Sequence, residues 1–473
     1  MTTPRSHWMP YLGRELSRYG SLVVLLILCG YYSAVTWSEQ HPMTPAAGRA
    51  LGQGAAEYLR AQQLPLRAVL VTRPFAQDEA FAEGAQSSFA AAGGVIVQAI
   101  VASQPADVSR QLKQLAGEAD LIPIILTLQP CSLWGPLQQN QLTSLAAQIP
   151  CLKGSVVLRP KSYHWPSFLT RDNLVNVVNQ NADVAILAIG MTLVIITAGI
   201  DLSVGSVLAL AGVLMAVTVN GVAGGEAAPV WAWALCVLFA IACCGVVGGL
   251  NGALATYGGI PAFIVTLATM MIIRGLALII AVRYQRLRSG GTTEALPEAI
   301  SVQSPGFSWL GNGQLFGIPN PILLMLLLFV AAHILMTRTP LGRYIYAVGG
   351  NPQAAYLSGV PVKRVLILVY ALCGVTAAIG GFIDASRFEG GRPGAGDTYE
   401  LQVIAAVVVG GTSLSGGEGR IMGTLVGALI IAVIQNGLNI AGVQAYEQKV
   451  IFGGLILAAS FLDQVKKRWL PGG

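Results

Sequence analysis

Pro229-Val-Trp-Ala-Trp-Ala-Leu-Cys-Val-Leu-Phe-Ala-Ile-Ala-Cys-Cys-Gly-Val-Val-Gly-Gly-Leu-Asn-Gly-Ala-Leu-Ala255 runs without one charged side chain. About 20 mostly apolar residues in a helix cross the hydrocarbon of a bilayer, and this stretch is longer than that. Similar segments lie near 20–37, 182–199, 203–221, 262–282, 319–337, 365–385, 401–413, 421–441 and 449–463. Together they predict an α-helical polytopic membrane protein with about ten transmembrane helices. The segment 401–413 is short for a full span.

Composition points the same way. Of 473 residues, 54% are hydrophobic and 11% charged, with a mean hydropathy of +0.63. Soluble domains carry roughly 25% charged residues, so an ordinary soluble enzyme is excluded. A disordered chain or a nucleic-acid partner would also need more charge. The 56 glycines suit helices packed closely in lipid. Gly245-x-x-x-Gly249-x-x-x-Ala253 and Gly423-x-x-x-Gly427 are small-residue stripes of that kind. Cys29, Cys236, Cys243, Cys244 and Cys373 sit in apolar runs as small core residues. Cys131 and Cys151 fall in a polar segment and could form a disulfide if it faces an oxidising compartment. No cysteine or histidine spacing suggests a metal site.

Basic residues set the orientation. Arg5, Arg14 and Arg18 precede the first apolar segment, Arg338, Arg343, Lys363 and Arg364 surround one loop, and Lys466-Lys467-Arg468 lie in the tail. With ten crossings all three groups share a side, which the positive-inside rule makes cytoplasmic. Arg283, Arg286 and Arg288 are the exception. The first segment has no A-x-A-like cleavage site after it and reads as a retained anchor. The plan is then a cytoplasmic start and first helix (1–38), an extracytoplasmic insert (39–170), a membrane domain (171–465) with a cytoplasmic loop at 338–364, and a cytoplasmic tail (466–473).

The insert is polar, mixed in charge and too long for a structureless loop. Its β-rich runs 68–72, 95–101, 121–126 and 155–158 alternate with helical stretches near 78–92, 106–119 and 137–149. That alternation predicts βαβ units and a mostly parallel sheet.

The absences are as informative. No G-x-x-x-x-G-K-[ST] phosphate loop, G-x-S-x-G elbow, H-E-x-x-H pair or carboxylate relay occurs. The chain has no catalytic or metal residues of its own by this reading, and its energy must come from a gradient or a partner. Polar residues inside apolar runs are the candidates for a transport pathway: Asp201 and Ser203 at a probable helix break, Asn251, Thr266, and Arg274 deep in an apolar run. Arg274 could instead bond carbonyls at a helix end, and Asp201 could cap the helix that follows. In the loop, Asn351-Pro352 suits an N-cap and first helical position, and Gly359 with Pro361 stops the helix. A helix of about two turns results, with Gln353, Ala354, Ala355 and Leu357 on it. The two alanines present a small docking face.

Gln353-Ala-Ala-x-x-x-Gly359 resembles the EAA loop of ATP-binding-cassette importer permeases, with Gln in place of Glu. Gly199-Ile-Asp-Leu-Ser-Val-Gly-Ser206, Asn251-Gly-Ala-Leu254, Pro261-Ala-Phe-Ile-Val-Thr-Leu267, Arg274-Gly-Leu-Ala277 and Gly410-Gly-Thr-Ser-Leu-Ser-Gly-Gly-Glu-Gly419 accompany it in order. Over roughly 168–465 the chain closely resembles ribose/galactose-type sugar permeases. The resemblance implies an inner-membrane permease dimer, homo- or heteromeric, with cytoplasmic ATPase subunits that carry the ATP and Mg, and an external sugar-binding protein. Asn351 to Gly359 would be the coupling helix. Ordinary members have a short loop where this chain has its insert, whose pattern is weakly similar to one lobe of a periplasmic sugar-binding protein. Phe75 and Trp134 there are candidate sugar contacts. Other cargoes stay open: a nucleoside, a quorum-signal sugar derivative or a branched-chain amino acid. A gradient-driven transporter or a membrane sensor fits the loop less well.

Overall fold

The computed structural model describes residues 9–289, 296–444 and 446–454, with 457, 458 and 461. The first eight residues, part of the segment 449–463 and the tail 466–473 lie outside the described residues. The chain forms two compact units. One joins the residues up to Thr36 to those from Phe168 onward; the other is Trp37–Ser167. The first unit begins with α1 (Met9–Val35), whose apolar part is Gly20–Val35.

The unit Trp37–Ser167 opens with β1 (Trp37–Gln40), α2 (Pro45–Ala61), β2 (Arg67–Thr72), α3 (Ala76–Ala91), β3 (Val95–Val101) and α4 (Pro105–Gln114). It continues through β4 (Ile124–Thr127), the short α5 (Gln129–Ser132), α6 (Gln139–Ala146), β5 (Val156–Leu158) and β6 (Tyr163–Pro166). Four strands pair in parallel in the order β3-β2-β4-β5, while β1 and β6 pair antiparallel. Successive strand residues point to opposite faces, and both faces of this sheet are covered. Ala68 and Leu70 of β2 pack with Leu59, Phe81 and Phe89 of α2 and α3. Val69 and Val71 pack with Val108, Leu112 and Leu142 on the other side. That is why β2 reads as an unbroken apolar run rather than an alternating one.

The other unit continues with α7 (Arg171–Gln180), α8 (Ala182–Ile196), α9 (Val204–Gly221), α10 (Val230–Tyr257) and α11 (Ala262–Arg288). Next come β7 (Ile300–Ser301), α12 (Pro305–Asn312), β8 (Gln314–Leu315), β9 (Ile318–Pro319), α13 (Asn320–Arg338), α14 (Pro340–Gly350) and α15 (Pro352–Leu357). Last are α16 (Val362–Arg387), β10 (Gly390–Gly391), α17 (Tyr399–Val409) and α18 (Ile421–Ile440).

Among the described residues six helices, α9, α10, α11, α13, α16 and α18, are long and apolar enough to cross a membrane, and the pair α7 and α8, bent by 45°, adds a seventh if the two form one span. Ten were predicted; of the remaining three segments, 449–463 lies partly outside the described residues. The eleven residues of α17 reach only about 16 Å, half a bilayer core, and the apolar part of α1 is also short. The stripe Gly423–Gly427 of α18 does pack helices: a Cβ on Gly427 would stand 1.9 Å from the Ala406 carbonyl oxygen of α17, and one on Gly423 2.3 Å from that of Gly410. On α10 the close approach is one residue off the predicted stripe. A Cβ on Gly245 or Gly249 would first meet side chains of α16, at 3.0 and 3.7 Å, whereas one on Gly248 would stand 2.2 Å from the Tyr370 carbonyl oxygen. Backbones that close leave no room for any larger residue.

Candidate functional site

The chain breaks between α8 and α9, and four of the five pathway candidates meet there. Ala198 sits at φ +60°, and the Gly199 amide reaches back to the Val194 carbonyl at 3.0 Å, which ends α8. Asp201 Oδ1 then accepts from the Ser203 amide at 2.9 Å and the Ser203 hydroxyl at 2.6 Å. Asn251 of α10 donates its Nδ2 to Ser203 Oγ at 3.0 Å, and Thr269 of α11 donates to Asn251 Oδ1 at 2.7 Å. Thr266 and Tyr370 both donate to the Ile200 carbonyl, at 3.4 and 3.5 Å. Asp201, Ser203, Asn251 and Thr266 are all buried. A break at membrane depth strands backbone groups; side chains of α11 and α16 satisfy the Ile200 carbonyl here, while Asn251 of α10 holds the Ser203 hydroxyl. Asp201 therefore orders the start of α9.

Arg274 stands apart. Its Nη1 donates to the carbonyls of Pro393 at 2.8 Å and Ala395 at 2.6 Å. It does bond backbone carbonyls, though they belong to the buried Pro393 and Ala395 of the glycine-rich connection between α16 and α17 rather than to a helix end.

In the loop, Asn351 caps α15 as its position predicts: Oδ1 accepts from the amides of Gln353 at 3.0 Å and Ala354 at 2.9 Å. Gly359, at φ +83°, closes the helix. The structure shortens it to Pro352–Leu357 and corrects the docking face. Ala355 is 5% exposed and points into the body, while Leu357 is 83% and Tyr356 70% exposed. Gln353 and Ala354 are exposed as well. The helix thus has a small inner anchor and an outer face of Gln353, Ala354, Tyr356 and Leu357. Behind it, Gly349 packs on the end of α8, where a Cβ would stand 1.8 Å from the Ile196 carbonyl oxygen. That oxygen accepts from the Gly417 amide at 2.8 Å.

Within Trp37–Ser167, Phe75 is 57% exposed with the Arg73 guanidinium 4.9 Å from its ring centre. Asp78, 1% exposed, accepts from Arg73 Nε at 2.8 Å and Nη2 at 3.1 Å, and this pairing raises the Arg73 pKa. Trp134 is half-buried against the core that holds Cys131 and Leu137, which leaves Phe75 the freer aromatic face. Cys131 and Cys151 are free thiols, so the proposed disulfide is absent. The reason is spacing. The Cys151 carbonyl accepts from Ile122 before β4, whereas Cys131 follows its far end. The four residues of β4 span about 13 Å, beyond the ~7 Å that a disulfide bridges. Burial pushes the Cys131 thiol up to about 11 and also raises that of Cys151.

The family profile described as "Branched-chain amino acid transport system / permease component" matches residues 173–460, more than half of the chain. The chain belongs to this permease family. Ribose import permease protein RbsC of Escherichia coli (strain K12) is 42% identical over 302 residues, 64% of this chain and 88% of the relative. RbsC of Bacillus subtilis (strain 168) is 45% identical over 64% of this chain and 87% of its own. Xylose transport system permease protein XylH of Escherichia coli (strain K12) is 33% identical over 69% and 94%. No solved structure matches the chain at a significant level.

Other polar groups of the permease were not foreseen. Thr269 and Tyr370 complete the knot, and α14 props the loop. At the far end of α16, Asp183 lies 4.0 Å from Arg387, and Asp384 lies 2.5 Å from Arg392. A charge inside an apolar run is the signal that finds Asp183 and Asp384. Nothing in the spacing pairs them.

Proposed function

We propose that this permease is the membrane-spanning subunit of an ATP-binding-cassette importer for a monosaccharide, a pentose or hexose of the ribose type. The observation that carries this reading is the extent of the match to named sugar permeases, which spans about nine-tenths of their length at 33–45% identity. The chain itself hydrolyses nothing. ATP and Mg belong to a cytoplasmic ATP-binding subunit, and a second permease subunit, identical or related, completes the path. An extracytoplasmic sugar-binding protein delivers the cargo, and lipid surrounds the helices.

Both termini and the 338–364 loop lie in the cytoplasm in this reading, and residues 39–170 lie outside the inner membrane. Asn351, Gln353, Ala354, Ala355, Leu357 and Gly359 form the coupling element: Ala355 seats it while Tyr356 and Leu357 enter a groove of the ATPase. Closure of the ATPases on ATP pushes α15. Gly349 then transmits the push to the end of α8 and the knot at Asp201. Exposed apolar side chains on a capped helix supply a rigid lever, which coupling requires more than acid–base groups.

The test is uptake of a labelled pentose and hexose panel by cells carrying the chain with an ATP-binding subunit and a sugar-binding protein of a ribose-type importer, against cells lacking only this chain. Energy-dependent uptake of one monosaccharide, lost on deletion and lost again with Leu357→Asp at unchanged membrane level, supports the reading. Absence of any sugar uptake refutes the cargo. Full uptake by Leu357→Asp refutes the coupling element.

A further inference from the structure

Between α16 and α17 the backbone leaves the helix for Phe388-Glu-Gly-Gly-Arg-Pro-Gly-Ala-Gly-Asp-Thr398. This segment runs beside α9. A Cβ on Gly391 would stand 2.4 Å from the Gly212 carbonyl oxygen, and one on Gly396 2.6 Å from that of Gly205. The segment therefore follows α9 from Gly212 back to Gly205, about 10 Å of a membrane span. Irregular backbone at such a depth survives only where protein buries it or water reaches it.

One side of the segment is held by protein. Gly390, Gly391, Pro393, Ala395 and Gly396 are buried, β10 pairs with β7, and Arg274 takes the two carbonyls already described. Arg392 pairs with Asp384 and lies 3.6 Å from the centre of the Phe388 ring. The other side is open: Gly394 and Asp397 are exposed, and Leu401 is 49% exposed. Glu400 sits half-buried beside them, and the charges of Asp397 and Glu400 act on Arg274. An exposed carboxylate is costly against hydrocarbon, and charges inside spans face wet cavities or protein. The side bearing Gly394 and Asp397 is thus unsuited to lipid.

We infer that this side lines the aqueous path and that Asp397 binds the cargo on its way through, an assignment that rests on the monosaccharide reading above. A carboxylate accepts hydrogen bonds on both oxygens, which matches two neighbouring hydroxyls of a neutral polyhydroxylated molecule. Arg274 is a positioning residue: it fixes the backbone on which Asp397 stands.

Two measurements on the full-length chain test this, and the first needs no cargo. Asp397→Cys and, as a lipid-facing control, Leu238→Cys on α10 (60% exposed) are treated in membranes with a membrane-impermeant cationic methanethiosulfonate. The native cysteines are common to both. Rapid labelling of Asp397→Cys above the Leu238→Cys level is expected. Equal, slow labelling of the two means that lipid or a second copy of the chain covers the position, and overturns the proposal. The second measurement is the uptake KM of Asp397→Ala and Asp397→Asn. Loss of a hydrogen bond to a charged group raises KM by about tenfold or more, with Asp397→Asn, which keeps one acceptor, falling between. Unchanged KM in both overturns the cargo role. If wild-type cells take up no sugar, the monosaccharide reading fails while labelling still decides whether the path is there.

Discussion

Gly349→Ala is the substitution that most directly tests how α15 is joined to the membrane unit. The added methyl would stand 1.8 Å from the Ile196 carbonyl oxygen and 2.7 Å from the Gly417 amide nitrogen. Both are backbone atoms, so no rotamer change relieves the clash and α14 must lift off α8. Overpacking of this kind costs about 1–3 kcal/mol. Moving Ile196 also endangers the 2.8 Å bond from Gly417, worth about 1 kcal/mol. A total of about 2–4 kcal/mol shifts the balance between seated and lifted α14 by roughly 30- to 1000-fold. The helix itself should fold, since alanine is a better helix former than glycine. The assay is sugar-stimulated ATP hydrolysis and uptake by the reconstituted importer at matched permease level. The expected result is ATP hydrolysis uncoupled from uptake, with uptake reduced at least tenfold. Gly350→Ala, where a Cβ meets nothing within 4 Å, is the matched control and should transport normally. Equal uptake by the two variants would refute the reasoning, because it would mean that the contact with α8 carries no motion.

Two further outcomes concern the unit Trp37–Ser167. Arg73→Ala strands the buried Asp78 carboxylate, which costs about 3–5 kcal/mol, so protease cleavage inside this unit of the full-length chain should begin at a clearly lower temperature. Identical cleavage profiles would show that the pair contributes little. Because its pKa is raised to about 11, the Cys131 thiol should resist iodoacetamide at pH 8 and react only above about pH 10 or after unfolding. Mass spectrometry that finds Cys131 joined to Cys151, or Cys131 readily alkylated at pH 8, would contradict the placement of these residues.

Local patterns were legible and distant meetings were not. The strands 68–72 and 95–101 appear as β2 (Arg67–Thr72) and β3 (Val95–Val101), because a run of β-branched residues bounded by turns decides itself over a few residues. Asn351-Pro352 predicted its cap for the same reason. By contrast, Ala355 looked like a docking residue until the packing behind α15 placed it inside. The half-length α17 could not be told from a span by apolarity alone. The order β3-β2-β4-β5 likewise follows from which helix covers which face, and no single segment states it.

By itself the sequence determined that the chain spans a membrane repeatedly, that an α/β unit interrupts it, and that a capped helix follows Asn351. These depend on run length, periodicity and capping, which act within a turn or two of chain. Only the tertiary structure decided that Asp201, Ser203, Asn251 and Thr266 share one buried knot, and that Arg274 instead holds the segment 388–398. It also decided that Cys131 and Cys151 stay apart. The physical reason is common to all three. A hydrogen bond or disulfide needs its atoms within a few ångströms, and for residues far apart in the chain that distance is set by how helices and strands pack.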